Sequence, residues 1–399
     1  MADPFFSIVV PTRNRGHELH HTLRTCLAQD FNVLGSDSYE ILVSDKCSDA
    51  DIPAVVRALG SPITRYVRTD RYLSMTDSWE FAVSQARGKF VGIVCTDDGY
   101  LFDTLSNVYA ILNNNDVKVV TFQGGYYYWP TCTDSALRNK LLVPTFVFDE
   151  GVQPAARLVA DSLKTLYYGR LPCFLNSFCD RELLDAIRRK RGRIFDSYCP
   201  DVYSGFLIAN EVDRIYVSNR IMLVGGVSGG STGGNAFADP EGAIIKEHLS
   251  KFADGEALTQ GLIAFPFATN YIVDSAVKAL AAPGSGDVMN RLDYTSYVTH
   301  CFRQAIMLPD AANRQAALHA VRGFVEAHAR AGLSWKRLFL KSLRWRIQQA
   351  LPTSLVRIVQ RQAYRPGRTS GGLANRVVDA ADLGIHDVYD AARYLTTTR

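Results

Sequence analysis

Three observations predict an α/β fold with a mostly parallel sheet covered by helices on both faces. Over the first 122 residues, short β-rich apolar runs alternate with stretches of helical period. Those runs are almost continuously apolar, as strands buried on both faces must be. At 399 residues, the chain is also long enough for one large α/β unit and a smaller second one.

The elements follow in order. Phe5 to Val10 reads as the first strand, after which Leu19, Leu23, Cys26 and Leu27 recur at helical spacing. Tyr39 to Val43 makes a second strand, Pro53 to Leu59 a short helix and Ile63 to Val67 a third strand. Met75, Trp79, Ala82, Val83 and Ala86 mark one face of a third helix, followed by strands at Phe90 to Val94 and Val117 to Phe122. From 123 to 235 the pattern is less regular. There Leu183 to Arg191 reads as helix, Arg214 to Val224 as strand, and Gly225 to Asn235 as a glycine-rich loop. Helical periodicity dominates from 241 to 350. The predicted organisation is a nucleotide-binding and catalytic unit over 1–240 and a mainly helical region over 241–399.

Composition narrows the function classes. Hydrophobic residues at 47% and charged residues at 21% describe an ordinary globular protein. The opening stretch carries an acid where a signal peptide needs bases, and no run of about 18 apolar residues is present to cross a bilayer. The eight cysteines are scattered without a C-x-x-C pair, which fits reduced thiols in the cytoplasm and argues against structural zinc. Between Trp335 and Arg368 the chain carries nine Lys or Arg and no Asp or Glu, so the net charge of +4 comes from one late segment. No repeat of solenoid period, dinucleotide fingerprint or P-loop is present, and no recognised nucleic-acid module accompanies the basic segment.

Ligands of such sheets bind beyond the carboxyl ends of the strands, so the loops there carry the chemistry. The fourth strand ends in Thr96-Asp97-Asp98-Gly99. Two adjacent carboxylates suit Mg²⁺ or Mn²⁺ against a pyrophosphate, although an Asp-Asp-Gly turn uses the same residues. Pro11-Thr12-Arg13-Asn14-Arg15 follows the first strand and offers hydrogen bonds and positive charge. After the second strand Asp45 can accept from a base N–H, and after the third Arg71 can contact phosphate. Each loop alone reads equally as a solvated turn or helix cap; four on one sheet edge read as a site.

The set Phe6-Ser7-Ile8-Val9-Val10-Pro11-Thr12-Arg13-Asn14-Arg15, Val43-Ser44-Asp45-x-Cys47-Ser48-x-x-Asp51 and Gly88-Lys89-Phe90-x₅-Thr96-Asp97-Asp98 resembles the family 2 glycosyltransferases of GT-A fold. The resemblance covers about residues 5–122. It implies a nucleotide-sugar donor, with a UDP-sugar the first choice, a divalent cation, and inversion at the anomeric carbon. Pro11, Thr12, Arg13, Arg15, Asp45, Arg71 and Asp97 would then bind the donor and Asp98 the metal. One departure is visible: the family's D-x-D pattern stands here as Thr96-Asp97-Asp98.

An inverting transfer needs a carboxylate to take the acceptor's proton. The resemblance places it at an acid opening a helix downstream, where Asp201 after Pro200 fits best and Asp196 is the alternative; an Asp in a first helical turn is also favoured by the macrodipole alone. The glycine-rich loop reads as a connector or as a lid over the donor. Its Gly226-Val227-Ser228-Gly229-Gly230 has the form of a hydrolase nucleophile elbow, but it lacks a helix-forming sequence directly after the serine.

In the basic amphipathic segment over 335–368, cationic and apolar residues mix at helical spacing, as they do on an anionic membrane surface or on a helix packed against the core. The reading is a cytoplasmic transferase, peripheral on the inner face of the membrane, that adds a sugar to a glycan or lipid-linked acceptor in polysaccharide biosynthesis. The rival reading is a non-catalytic subunit that keeps the fold and binds a sugar nucleotide or glycan.

Overall fold

The computed structural model describes residues 3–31, 38–145, 147–251, 258–281, 287–308, 310–328, 333–336, 338–340 and 375–398. Its strands are β1 (Phe6–Thr12), β2 (Tyr39–Asp45), β3 (Thr64–Arg68), β4 (Phe90–Ile93), β5 (Gly99–Tyr100), β6 (Val119–Tyr128), β7 (Lys140–Pro144), β8 (Gly151–Pro154), β9 (Ser177–Asp180), β10 (Arg214–Val227) and β11 (Asn375–Asp379). They form one sheet in the order β11-β7-β6-β9-β4-β1-β2-β3, and β10 pairs with β5, β6 and β8. The half built from β3, β2, β1 and β4 is parallel throughout. β9 runs antiparallel between β4 and β6, and β10 runs parallel to β6. The carboxyl ends of β1, β2, β3, β4, β6 and β10 therefore share one edge.

Pleating divides the apolar strand residues between two cores. On one face Ile8, Val10, Ile41 and Val43 pack with Leu19 and Leu23 of α1 (Gly16–Leu27) and with Ile52, which opens α2 (Ile52–Leu59). On the other, Val9, Leu42, Val91 and Ile93 meet Trp79 and Ala82 of α3 (Met75–Ser84). α4 (Thr104–Asn114) joins the first face. α5 (Ala155–Thr165), α6 (Arg181–Arg191) and α7 (Pro200–Asn210) join the second. Helices thus cover both faces, as the apolar runs predict.

After the short α8 (Thr232–Ala238) and α9 (Ala243–Ser250) come α10 (Ala268–Leu280), α11 (Tyr294–Met307) and α12 (Ala311–Ala327). α11 and α12 share a core of their own around Tyr297, Val298, Ala317 and Val321. Three elements cross the boundary read at residue 240. Ala276 and Ala279 of α10 belong to the core under α7. β11 adds a strand to the sheet against β7, and α13 (Val388–Thr397) buries Val388, Ala391, Ala392 and Leu395 against Leu101, Tyr127 and Trp129. The basic segment read over 335–368 lies outside the described residues except for 335–336 and 338–340. Among the described residues no helix is long and apolar enough to cross a membrane.

Candidate active site

The loops after β1 and β2 are tied together by Asn14, which holds the left-handed conformation that Asn tolerates (φ 55°). Its Oδ1 accepts from the backbone N–H of Asp49 (2.7 Å), and its own N–H donates to Ser48 Oγ (2.9 Å). Asp45, at 0% exposure, accepts from Ser48 N–H (2.9 Å) and Ser48 O–H (2.5 Å) at Oδ1, and from Tyr66 O–H (2.7 Å) and Arg68 (3.4 Å) at Oδ2. Thr12 is buried, and its hydroxyl has no partner among the described residues. A buried hydroxyl left this way costs free energy unless a ligand satisfies it.

Beside these loops Arg13 pairs with Glu247 of α9 (3.1 Å) and lies 4.2 Å over the Tyr72 ring. Lys46 and Lys251 approach the same ring at 4.7 and 4.8 Å. Burial, with Arg13 close by, pushes the Lys46 ammonium down to about 8. Arg71 is exposed in an open cleft of about 440 Å³ that Arg68, Thr69, Asp70, Leu73 and Phe81 also line.

Within the carboxylate loop the two aspartates have different surroundings. Asp97 Oδ2 pairs with Arg15 (2.9 Å) and accepts from Ser228 O–H (2.7 Å), while Arg15 also donates to Ser228 Oγ (3.0 Å). Asp98 Oδ1 accepts from Gly226 N–H (2.7 Å) and Oδ2 from Cys95 N–H (3.3 Å). No ion pair reaches Asp98 among the described residues. Burial and then the charge of Asp97 raise its carboxyl to about 7. Thr96 has turned down instead, its hydroxyl donating to the Pro11 carbonyl (2.9 Å). That link between the β4 and β1 loops needs a donor, which an ionised carboxylate is not, and so accounts locally for threonine in place of the family's first acid.

Asp201 sits in the first turn of α7. Burial raises its pKa, and no ion pair reaches it among the described residues. Burial first, and then charges that include those of Asp98 and Asp201, raise the pKa of the Cys95 thiol and of the Tyr126 hydroxyl. The sequence reading missed Ser228, Tyr72, Lys46 and Tyr126. The glycine-rich stretch was the available signal for Ser228: Gly225–Val227 finish β10, and Ser231 caps α8 by accepting from Gly234 N–H (3.3 Å).

Residues 7–151 match the model of glycosyl transferase family 2, short of half the chain. No curated protein matches the chain. Among solved structures, TarS 1-349 of S. aureus in complex with UDP is similar at 17% identity and TM-score 0.46, over 84% of this chain and 93% of that one. The mannosyltransferase PcManGT from Pyrobaculum calidifontis, in complex with GDP-Man and Mn²⁺, is similar at 17% identity and TM-score 0.47, over 99% of this chain and 86% of that one.

Proposed function

We propose that the chain is an inverting glycosyltransferase that moves a sugar from a UDP-sugar to a glycan or lipid-linked acceptor in polysaccharide biosynthesis. One observation carries this reading: Asp98, buried beyond β4, and Asp201, half-buried in the first turn of α7, form no ion pair among the described residues, and the charges of both act on Cys95 and Tyr126. Asp201 takes the proton of the acceptor hydroxyl as that oxygen bonds to the anomeric carbon, and the bond to the diphosphate breaks with its electron pair leaving on the nucleotide. A carboxyl with a raised pKa is the stronger base once ionised. Thr12, with its unpartnered hydroxyl, and Pro11, Arg13, Asp45 and Arg71 face the nucleotide. Arg15 and Asp97 brace the loop that carries Asp98.

The residues present fit Mn²⁺ or Mg²⁺. Among the described residues no group of three or more His, Cys, Asp or Glu makes a cage, but Mg²⁺ in particular is usually held by one or two carboxylates together with substrate phosphates. Asp98 is the carboxylate that would hold the ion, which when bound offsets charge on the departing diphosphate. The test is release of nucleoside diphosphate from a panel of nucleotide sugars with Mn²⁺. Release that disappears in Asp98→Ala is expected; tight donor binding without turnover of any donor would favour the non-catalytic reading.

Membrane attachment on the cytoplasmic side belongs to the same proposal. It is supported by exposed Trp335, Lys336, Phe339 and Leu340 beside buried Leu338, at the start of the segment with nine cations and no acid. Co-flotation with anionic vesicles but not with neutral ones is the expected result.

A further inference from the structure

Tyr126, on β6 near the carboxylate edge, has half its surface open, at 51% exposure. Its position follows from strand register. Tyr126 on β6 pairs with Gly225 on β10, and the next residue, Gly226, donates its N–H to Asp98 (2.7 Å). A side chain at 225 would meet the tyrosine ring at 3.2 and 3.3 Å. The glycine therefore lets the ring lie against the backbone of β10, one residue from the Asp98 carboxylate. The opposite side of the ring is open.

The neighbours of that open side are not those of the nucleotide loops. Burial first, then Asp98 and then Asp201, raise the Tyr126 hydroxyl pKa. The next residue on β6, Tyr127, packs under α13, so strand alternation turns Tyr126 to the other face of the sheet, the one that α7 covers with Asp201 in its first turn. Thr12, Arg13 and Asp45 lie across the sheet, on the β1 and β2 loops. The ring thus stands on the side of the base.

We propose that Tyr126 is the stacking platform of an acceptor subsite for a pyranose ring. Its support is the juxtaposition of a half-exposed, glycine-backed ring one residue from the Gly226 N–H that binds Asp98, on the sheet face that α7 and Asp201 cover. The negative face of an aromatic ring attracts polarised C–H bonds, and a pyranose presents a row of these on one face. Its hydroxyls stay at the rim, where one can reach Asp201. A flat platform fixes the plane of the sugar and leaves its rotation to polar neighbours. The inference rests on the proposed transferase reading, because it is Asp201 as base that makes this side the acceptor side.

Saturation-transfer NMR tests it with methyl β-D-glucopyranoside, methyl β-D-galactopyranoside and methyl N-acetyl-β-D-glucosaminide, each with and without UDP and Mn²⁺. Wild type and Tyr126→Phe should transfer saturation to the ring C–H protons of at least one sugar. Tyr126→Ala should lose about fivefold or more of that signal, in proportion to about 1 kcal/mol of stacking. Calorimetry with UDP and Mn²⁺ should give the same affinity for all three proteins. Equal transfer to the alanine variant, no transfer from any sugar to wild type, or weaker UDP binding by the alanine variant alone would each overturn the platform. Failure of wild type to bind UDP would instead remove the donor reading, while the titration without UDP still reports on the ring.

Discussion

Replacing Asp98 by Asn separates a carboxylate kept for a cation from one kept to close a turn. Asp98 is 6% exposed and forms no ion pair among the described residues, and its carboxyl is raised from 3.8 to about 7. Below pH 3.8 folded and unfolded chains both carry this proton, and the folded state suffers no penalty. Between 3.8 and about 7 the folded state retains a proton that the unfolded chain has released, so stability falls as pH rises. Above about 7 the full penalty stands, on the order of 4 kcal/mol. Asn removes it. The amide can accept from only one of the two N–H groups of Gly226 and Cys95 and turns its own N–H₂ toward the other, which costs about 1–2 kcal/mol. The variant should therefore be more stable than wild type by about 2–3 kcal/mol at pH 8, equal to it near pH 5 and weaker below that. Thermal melts across pH 4–8 read the crossing. Mn²⁺ with UDP should raise the melting temperature of wild type at pH 8 and leave the variant unmoved. A variant less stable than wild type at pH 8, or one with no crossing, would show that the carboxylate serves the turn and that the metal assignment is wrong.

The other outcomes rest on separate contacts. Asp201→Asn should lower kcat by about 10²–10⁴, with UDP affinity unchanged. In wild type kcat should rise with pH along a limb centred above the usual carboxylate range, because burial raises this pKa; the Asn variant should lack that limb. Arg15→Met leaves Asp97, at 5% side-chain exposure, buried without its cation, and should cost about 3 kcal/mol in denaturant melts. Gly226→Ala would place a methyl 1.8 Å from the Asp97 carbonyl oxygen, so β10 must shift; loss of soluble protein or of UDP binding is expected. Removing residues 375–399 should expose Leu101, Tyr127 and Trp129 under α13 and lower the melting temperature, measured by scanning fluorimetry.

What was legible in the sequence was local. β1, β2 and β4 are runs whose every residue is buried, so an almost continuously apolar pattern announced them, and their parallel order placed Thr12, Asp45 and Asp98 on one edge. Asp201 was legible because Pro at the first helical position followed by an acid is itself a helix signal. β7, β8 and β9 were not legible. They are four or five residues long and antiparallel, β7 and β8 are partly exposed, and their pairing depends on partners elsewhere in the chain. Tyr126 was hidden for the same reason: its environment is set by Gly225, 99 positions later in pairing register, and no local pattern carries that. The return of β11 to the edge strand β7 is likewise a long-range event.

The unequal treatment of two adjacent aspartates is what makes a single-carboxylate metal site physically reasonable. Two free carboxylates side by side in a buried loop would repel, and one would stay protonated near neutral pH. Here Arg15 neutralises Asp97 and Ser228 fixes it, so much of that repulsion is relieved; Arg15 itself lowers the Asp98 pKa. Desolvation is then the main cost of ionising Asp98, and a divalent ion bringing its own charge removes that cost when it arrives with the donor phosphates. Under this arrangement cation and nucleotide bind cooperatively, each weakly alone, because neither Asp98 nor the phosphates supply enough oxygen ligands by themselves. UDP titrated by calorimetry with and without Mn²⁺ should show that coupling as an affinity change of about tenfold or more. Additive binding would mean that Asp98 is not the ligand joining them.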